Sequence, residues 1–174
     1  LLIGKDDREV NKILVMLDYD ENGLKEALEV GADMIVTHHP PILSKLSTIT
    51  DPVFLNLIEN KISLCSMHTN LDSADQGVNQ VLAETIGLND IEPIELDGIF
   101  GRIGYVDSCT LGEFIQTVKL ALDIDHVRYV GSKSNNISKV AVVGGAGADF
   151  IPNVKLAECD AFVTADVKYH QAQL

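Results

Sequence analysis

The chain has 174 residues, 46% hydrophobic and 22% charged, and its 26 acidic against 13 basic side chains leave a net charge of −13. That apolar content excludes a disordered chain, and no run approaches the roughly 18 apolar residues of a membrane span. The acidic balance disfavours nucleic acid as a partner, because it repels phosphate.

Short β-branched runs alternate with helix-like stretches. Residues 13–17 read as a strand, followed by a helix with Leu24, Ala27 and Leu28 on one stripe and Gly31 at its end. Residues 34–37 form a second strand. A helix over 51–59 follows, with Asp51 as its cap and Pro52 at its first position. Residues 62–65 make a third strand, and Val78, Val81, Leu82 and Ile86 give the next helix its apolar stripe. Residues 101–106 and 126–130 are further strand candidates. Between them a helix over 111–122 opens with a capping box, Thr110 and Glu113. Strands at 140–143 and 161–164 flank a helical segment at 149–158. No internal repeat is visible. This order predicts an α/β fold of two lobes, with mostly parallel sheets covered by helices. The aperiodic stretch 89–101, with Pro93, Gly98 and Gly101, places the lobe boundary at 95/96: lobe 1–95 and lobe 96–174.

Cys65, Cys109 and Cys159 are odd in number and sit in apolar surroundings. They read as unpaired, buried small hydrophobes in a reducing, cytoplasmic compartment. None lies in a polar loop beside a histidine, so a cysteine nucleophile is not indicated.

Four of the five histidines follow strand candidates, where open α/β sheets place their ligand sites. In Thr37-His38-His39-Pro40-Pro41 the two imidazoles point to opposite faces of an extended chain. Each can then hold one of two ions, or both are surface histidines at a strand end. In His68-Thr69-Asn70-Leu71-Asp72, Asp72 can bridge two cations. Alternatively Asp72 or Asp75 caps the next helix and His68 packs in the strand end. The Gly144-Gly145-Ala146-Gly147 loop lacks the third glycine of a dinucleotide fingerprint and reads as a tight turn before an anion cradle. In Thr164-Ala165-Asp166-Val167-Lys168-Tyr169-His170, the residues Asp166, Lys168 and His170 can carry protons or grip a substrate, or simply open a helix. His126 has no partner pattern and reads as structural.

Taken in order, Val36-Thr37-His38-His39-Pro40-Pro41, His68-Thr69-Asn70-Leu71-Asp72, the glycine loop and the Thr164–His170 segment resemble the dinuclear-metal proteins called GTP cyclohydrolase I type 2 homologues, or NGG-interacting-factor-three-like. The resemblance spans nearly the whole chain. It implies a two-lobed α/β protein assembled into a homohexameric ring, with metals facing an internal cavity. His38, His39 and Asp72 match family metal ligands, with His68 at the site as a further ligand or as a support. Two more family ligands, a His and a Glu four residues apart near the C-terminus, have no counterpart, and the family's N-terminal Trp-Asp-Asn stretch is missing. The chain is therefore expected to be a fragment, its parent binding two divalent ions (Zn, Fe, Mn, Co or Ni) and this chain binding them partially or not at all. The implied function is a metal-dependent hydrolase of a small molecule, a nucleotide by the family name, with His68 or His170 transferring protons. The competing reading is a non-enzymatic metal-binding scaffold or regulatory partner protein.

Overall fold

In the computed structural model, which describes residues 1–96 and 98–173, the chain packs as two compact units, Leu1–Leu71 and Asp72–Leu174. The first is a βαβαβ unit: β1 (Ile13–Met16), α1 (Glu21–Val30), β2 (Met34–Thr37), α2 (Pro52–Glu59) and β3 (Ser63–Ser66). Its three strands are parallel in the order β1-β2-β3, so successive strands are neighbours. Asp20 caps α1 by accepting the Gly23 N–H, and Asp51 caps α2 by accepting that of Val53. Gly31 ends α1 at φ 67°, a left-handed conformation that glycine adopts without a Cβ penalty.

One face of this sheet carries the core. Leu14, Ile35 and Leu64 pack with Leu24 and Ala27 of α1 and Leu57 of α2. On the other face Ile13 and Val15 remain exposed. Beyond the strands, the short helix α3 (Thr69–Ser73) crosses the division between the units.

The second unit contains α4 (Val78–Thr85), β4 (Asn89–Leu96), β5 (Ile99–Thr110), α5 (Leu111–Ala121), β6 (Asn136–Val142), α6 (Ile151–Leu156) and β7 (Ala161–Val163). Its sheet runs β4-β5-β6-β7, with only β6 and β7 parallel. The expectation of mostly parallel sheets therefore holds for the first unit alone. The reason is local: residues 89–96 pair back on 99–110 as a hairpin, and a hairpin is antiparallel by construction. The sequence of this stretch, being aperiodic, predicts a link instead. Because α4 packs against β4 and β5, the second unit begins ahead of that helix. Residues 126–130, expected as a strand, are irregular, and β6 takes the place beside β5. Val140 and Val142 face a core with Phe114, Val118 and Ile86, while Ala141 faces Ile103 and Val154 on the other side. The capping box of α5 forms as expected. All three cysteines are free, but half-buried instead of buried.

A repeat invisible in the sequence is plain in the hydrogen bonds. Asp33 just before β2 accepts the backbone N–H groups of Asn11 and Lys12, and the Lys12 ammonium donates to the Val30 carbonyl. Asp160 before β7 accepts those of Ser138 and Lys139, and the Lys139 ammonium donates to the Ala157 carbonyl, at the same three sequence separations of 22, 21 and 18 residues. The β1-α1-β2 and β6-α6-β7 segments are thus two copies of one βαβ module. Besides the lysine and aspartate at matching places, the copies share backbone bonds, the Asp33 and Asp160 N–H groups donating to the Lys12 and Lys139 carbonyls.

Candidate metal centre

The C-terminal edge of the first sheet is built by extending its ladder past the strand ends. The His38 and His39 N–H groups donate to the carbonyls of Met16 and Leu17, and the Met67 N–H donates to that of Thr37. Thr37, 1% exposed, locks the edge from inside. Its Oγ1 lies 2.9 Å from the His39 carbonyl and 2.7 Å from Ser66 Oγ. A carbonyl only accepts, so Thr37 donates to His39 and accepts from Ser66. Pro40 follows directly and favours extended geometry at His39.

Three imidazoles gather on this edge. The ring centroids of His38 and His39 are 5.0 Å apart, those of His38 and His68 5.4 Å, and those of His39 and His68 5.8 Å. One ligand atom from each can be chosen so that all lie within 4.8 Å of one another. Two of the rings are oriented by their neighbours. Nδ1 of His38 is 2.9 Å from the Met67 carbonyl oxygen, and Nδ1 of His39 is 2.6 Å from Asp18 Oδ1. Both partners accept, so each ring carries its proton on Nδ1 and, when neutral, keeps a lone pair on Nε2. This is how metal-binding histidines are held elsewhere: the far nitrogen donates to a carboxylate or carbonyl, fixing the tautomer. The donor set fits a borderline divalent cation such as zinc.

The expected ligands divide as follows. His38, His39 and His68 come together within the first unit. Asp72 stands in the first turn of α3, as the first residue of the second unit. It does not cap α4, whose N-cap is Gly77. His170 is exposed in the second unit, its ring 5.3 Å from that of Tyr169. His126 lines an open groove of about 1050 Å³ in the same unit, with Phe114, Ile137 and Val163. Sequence reasoning overlooked Asp18. The available signal was its position just past the end of the first strand, beside the edge that carries the histidines.

The glycine loop behaves as a turn. Gly145 adopts φ 64°, the Gly144 N–H donates to Asn79 Oδ1 at 2.7 Å, and the Gly147 N–H donates to Thr164 Oγ1 at 2.9 Å. Two donors that an anion would need are already engaged by side chains. No described helix is long and apolar enough to cross a membrane.

The sequence profile of the family described as Duf34/NIF3 (NGG1p interacting factor 3) matches residues 1–174. A Clostridium perfringens protein named GTP cyclohydrolase 1 type 2 homolog is 38% identical, over 98% of this chain and 69% of its own length. A Streptococcus pneumoniae protein of the same name is 30% identical, over 99% and 70%. The crystal structure of a hypothetical protein from Staphylococcus aureus superposes with a TM-score of 0.85 at 29% identity, covering 99% of this chain and 72% of that one.

Proposed function

The chain belongs to the Duf34/NIF3 family, and on that premise we propose that it binds divalent metal and serves as a metal-dependent hydrolase of a small molecule. The observation that carries this reading is the group of three histidines at the C-terminal edge of a parallel sheet, two of them oriented through Nδ1. Structural histidines have no need to converge, and a convergent, oriented set is what cation binding requires. A divalent ion held there supplies positive charge that polarises a substrate oxygen or acidifies water.

Within this proposal His38, His39 and Asp72 are ligands. His68 shares the cluster and either joins them or moves a proton at its ring nitrogen. His170 is a second candidate proton carrier. The relatives' name supports a nucleotide as the first substrate to try. A homohexamer is part of the same reading, and the exposed Ile13 and Val15 offer apolar surface for self-association.

The test combines elemental analysis of the full-length protein with turnover assays on GTP and on generic phosphodiesters. Bound metal with turnover supports the hydrolase. Bound metal with no turnover on any substrate favours the non-enzymatic scaffold. A full-length protein that takes up no metal, even when supplied with zinc, manganese, iron, cobalt or nickel, refutes both.

A further inference from the structure

Asp18 belongs to no motif, yet its Oδ1 lies 2.6 Å from Nδ1 of His39. We propose that Asp18 is a positioning residue, whose carboxylate holds His39 in the Nδ1–H tautomer and so presents Nε2 to a divalent cation as a stronger donor. The inference rests on the metal reading above and adds to it the residue that sets one ligand's orientation.

The simplest competing view is an incidental surface ion pair, since both side chains are well exposed and such pairs contribute little. Two observations argue against it. First, the backbone around Asp18 is pinned on both sides. The preceding carbonyl, of Leu17, accepts the His39 N–H at 3.0 Å. The following residue, Tyr19, donates its hydroxyl to the Val53 carbonyl at 3.1 Å and stacks on Phe54. Asp20 then caps α1. The carboxylate is therefore delivered to His39 by a fixed turn, and little entropy is left to lose on forming the bond.

Second, the arrangement is matched on the other side of β2. His39 is held by Asp18, two residues past the end of β1, and His38 by the carbonyl of Met67, which follows β3. Adjacent imidazoles on one strand end are thus each tied at Nδ1, by acceptors from opposite neighbouring strands. A chance ion pair explains one of these bonds and leaves the pairing of the two without a cause. The partners differ in one respect: a carboxylate brings a full negative charge and a carbonyl does not. Of the two rings, His39 is the one whose donor strength is raised by charge, and the one whose bound cation is partly offset by it.

Zinc affinity measured by competition with a chromophoric chelator tests this, with side-chain 15N shifts of the metal-free chain reporting the His39 tautomer. Asp18→Ala is expected to weaken zinc by about 10- to 100-fold at unchanged stoichiometry and to move the His39 ring towards a mixture of tautomers. Asp18→Asn keeps the shape and an oxygen acceptor, so it should restore the tautomer and part of the affinity. Wild-type affinity in Asp18→Ala, alongside loss in His39→Ala, overturns the positioning role and leaves the metal reading intact. Unchanged zinc binding in His39→Ala removes the metal reading itself. Loss of stoichiometry in Asp18→Ala makes Asp18 a ligand, and equal losses in both Asp18 variants with an unmoved tautomer reduce it to a bare charge; either result overturns the proposal.

Discussion

Thr37→Val keeps the shape of a β-branched side chain and deletes one hydroxyl that is 1% exposed. That hydroxyl makes two bonds, donating to the His39 carbonyl at 2.9 Å and accepting from Ser66 Oγ at 2.7 Å. Each intramolecular hydrogen bond contributes about 0.5–1.5 kcal/mol net. Ser66 is only half-buried and His39 lies at the edge, so both orphaned groups can recover some hydration. The expected loss is therefore about 1–2 kcal/mol, towards the low end of the two-bond sum. Ser66→Ala removes only the second bond and should cost less, about 0.5–1 kcal/mol. The double variant should fall short of additivity by the energy of the shared bond. Urea unfolding followed by far-UV circular dichroism reads these values, with a slope unchanged from wild type if only stability has altered. Stability of Thr37→Val equal to wild type, or a larger loss in Ser66→Ala, would show that the lock contributes nothing.

In the full-length protein, Asp72→Ala is expected to lose one or both metals by elemental analysis while keeping its circular dichroism spectrum, since Asp72 sits in a five-residue helix with no core role; full metal retention removes it from the ligand set. Asp33 is held below its ordinary value of 3.8 by the N–H groups of Asn11 and then Lys12, and Glu113 below 4.5 by Thr110, first through its backbone N–H and then its hydroxyl. A lowered folded value means stability that is present above the unfolded value and is lost as pH falls through the folded one. The urea midpoint should thus drop below those values, and less steeply in Asp33→Asn and Glu113→Gln; identical acid slopes in wild type and variants contradict the assignment. Gly147→Ala should destabilise by about 1–3 kcal/mol, because an added Cβ would lie 2.6 Å from Thr164 Oγ1 and 2.8 Å from Val143 Cβ. A thermal melt indistinguishable from wild type would mean the turn can relax.

The first unit was legible almost residue by residue, because its elements are set by local chemistry. Asp51 and Pro52 start a helix, Gly31 stops one, and the apolar runs at 13–17 and 34–37 find parallel neighbours. The second unit was harder for a physical reason. β4 carries Glu92, Pro93 and Glu95, residues that strands usually avoid, and it exists through pairing with β5. Conversely, His126 to Val130 has strand-like composition and finds no partner strand among the described residues, so propensity was overridden by tertiary context. At the site, the histidines were visible through their spacing after strand ends. Asp18 was not, because its link to His39 runs across two strands and depends on the β1–β2 register.

The doubled βαβ module has a consequence for how the chemistry and the architecture are partitioned. Val142 pairs with Val163 as Val15 pairs with Val36, so Thr164, Ala165 and Asp166 stand in register where Thr37, His38 and His39 stand. The molecule contains its own blank: a strand end of the same build, clamped by the same lysine and aspartate, with no imidazole on it. The same module is thus built a second time with no histidine at that strand end. The groups that clamp it, Lys12 and Asp33, are different from those that load it, His38 and His39. The loading positions are free to serve a ligand, and the second copy shows the same scaffold without imidazoles at them.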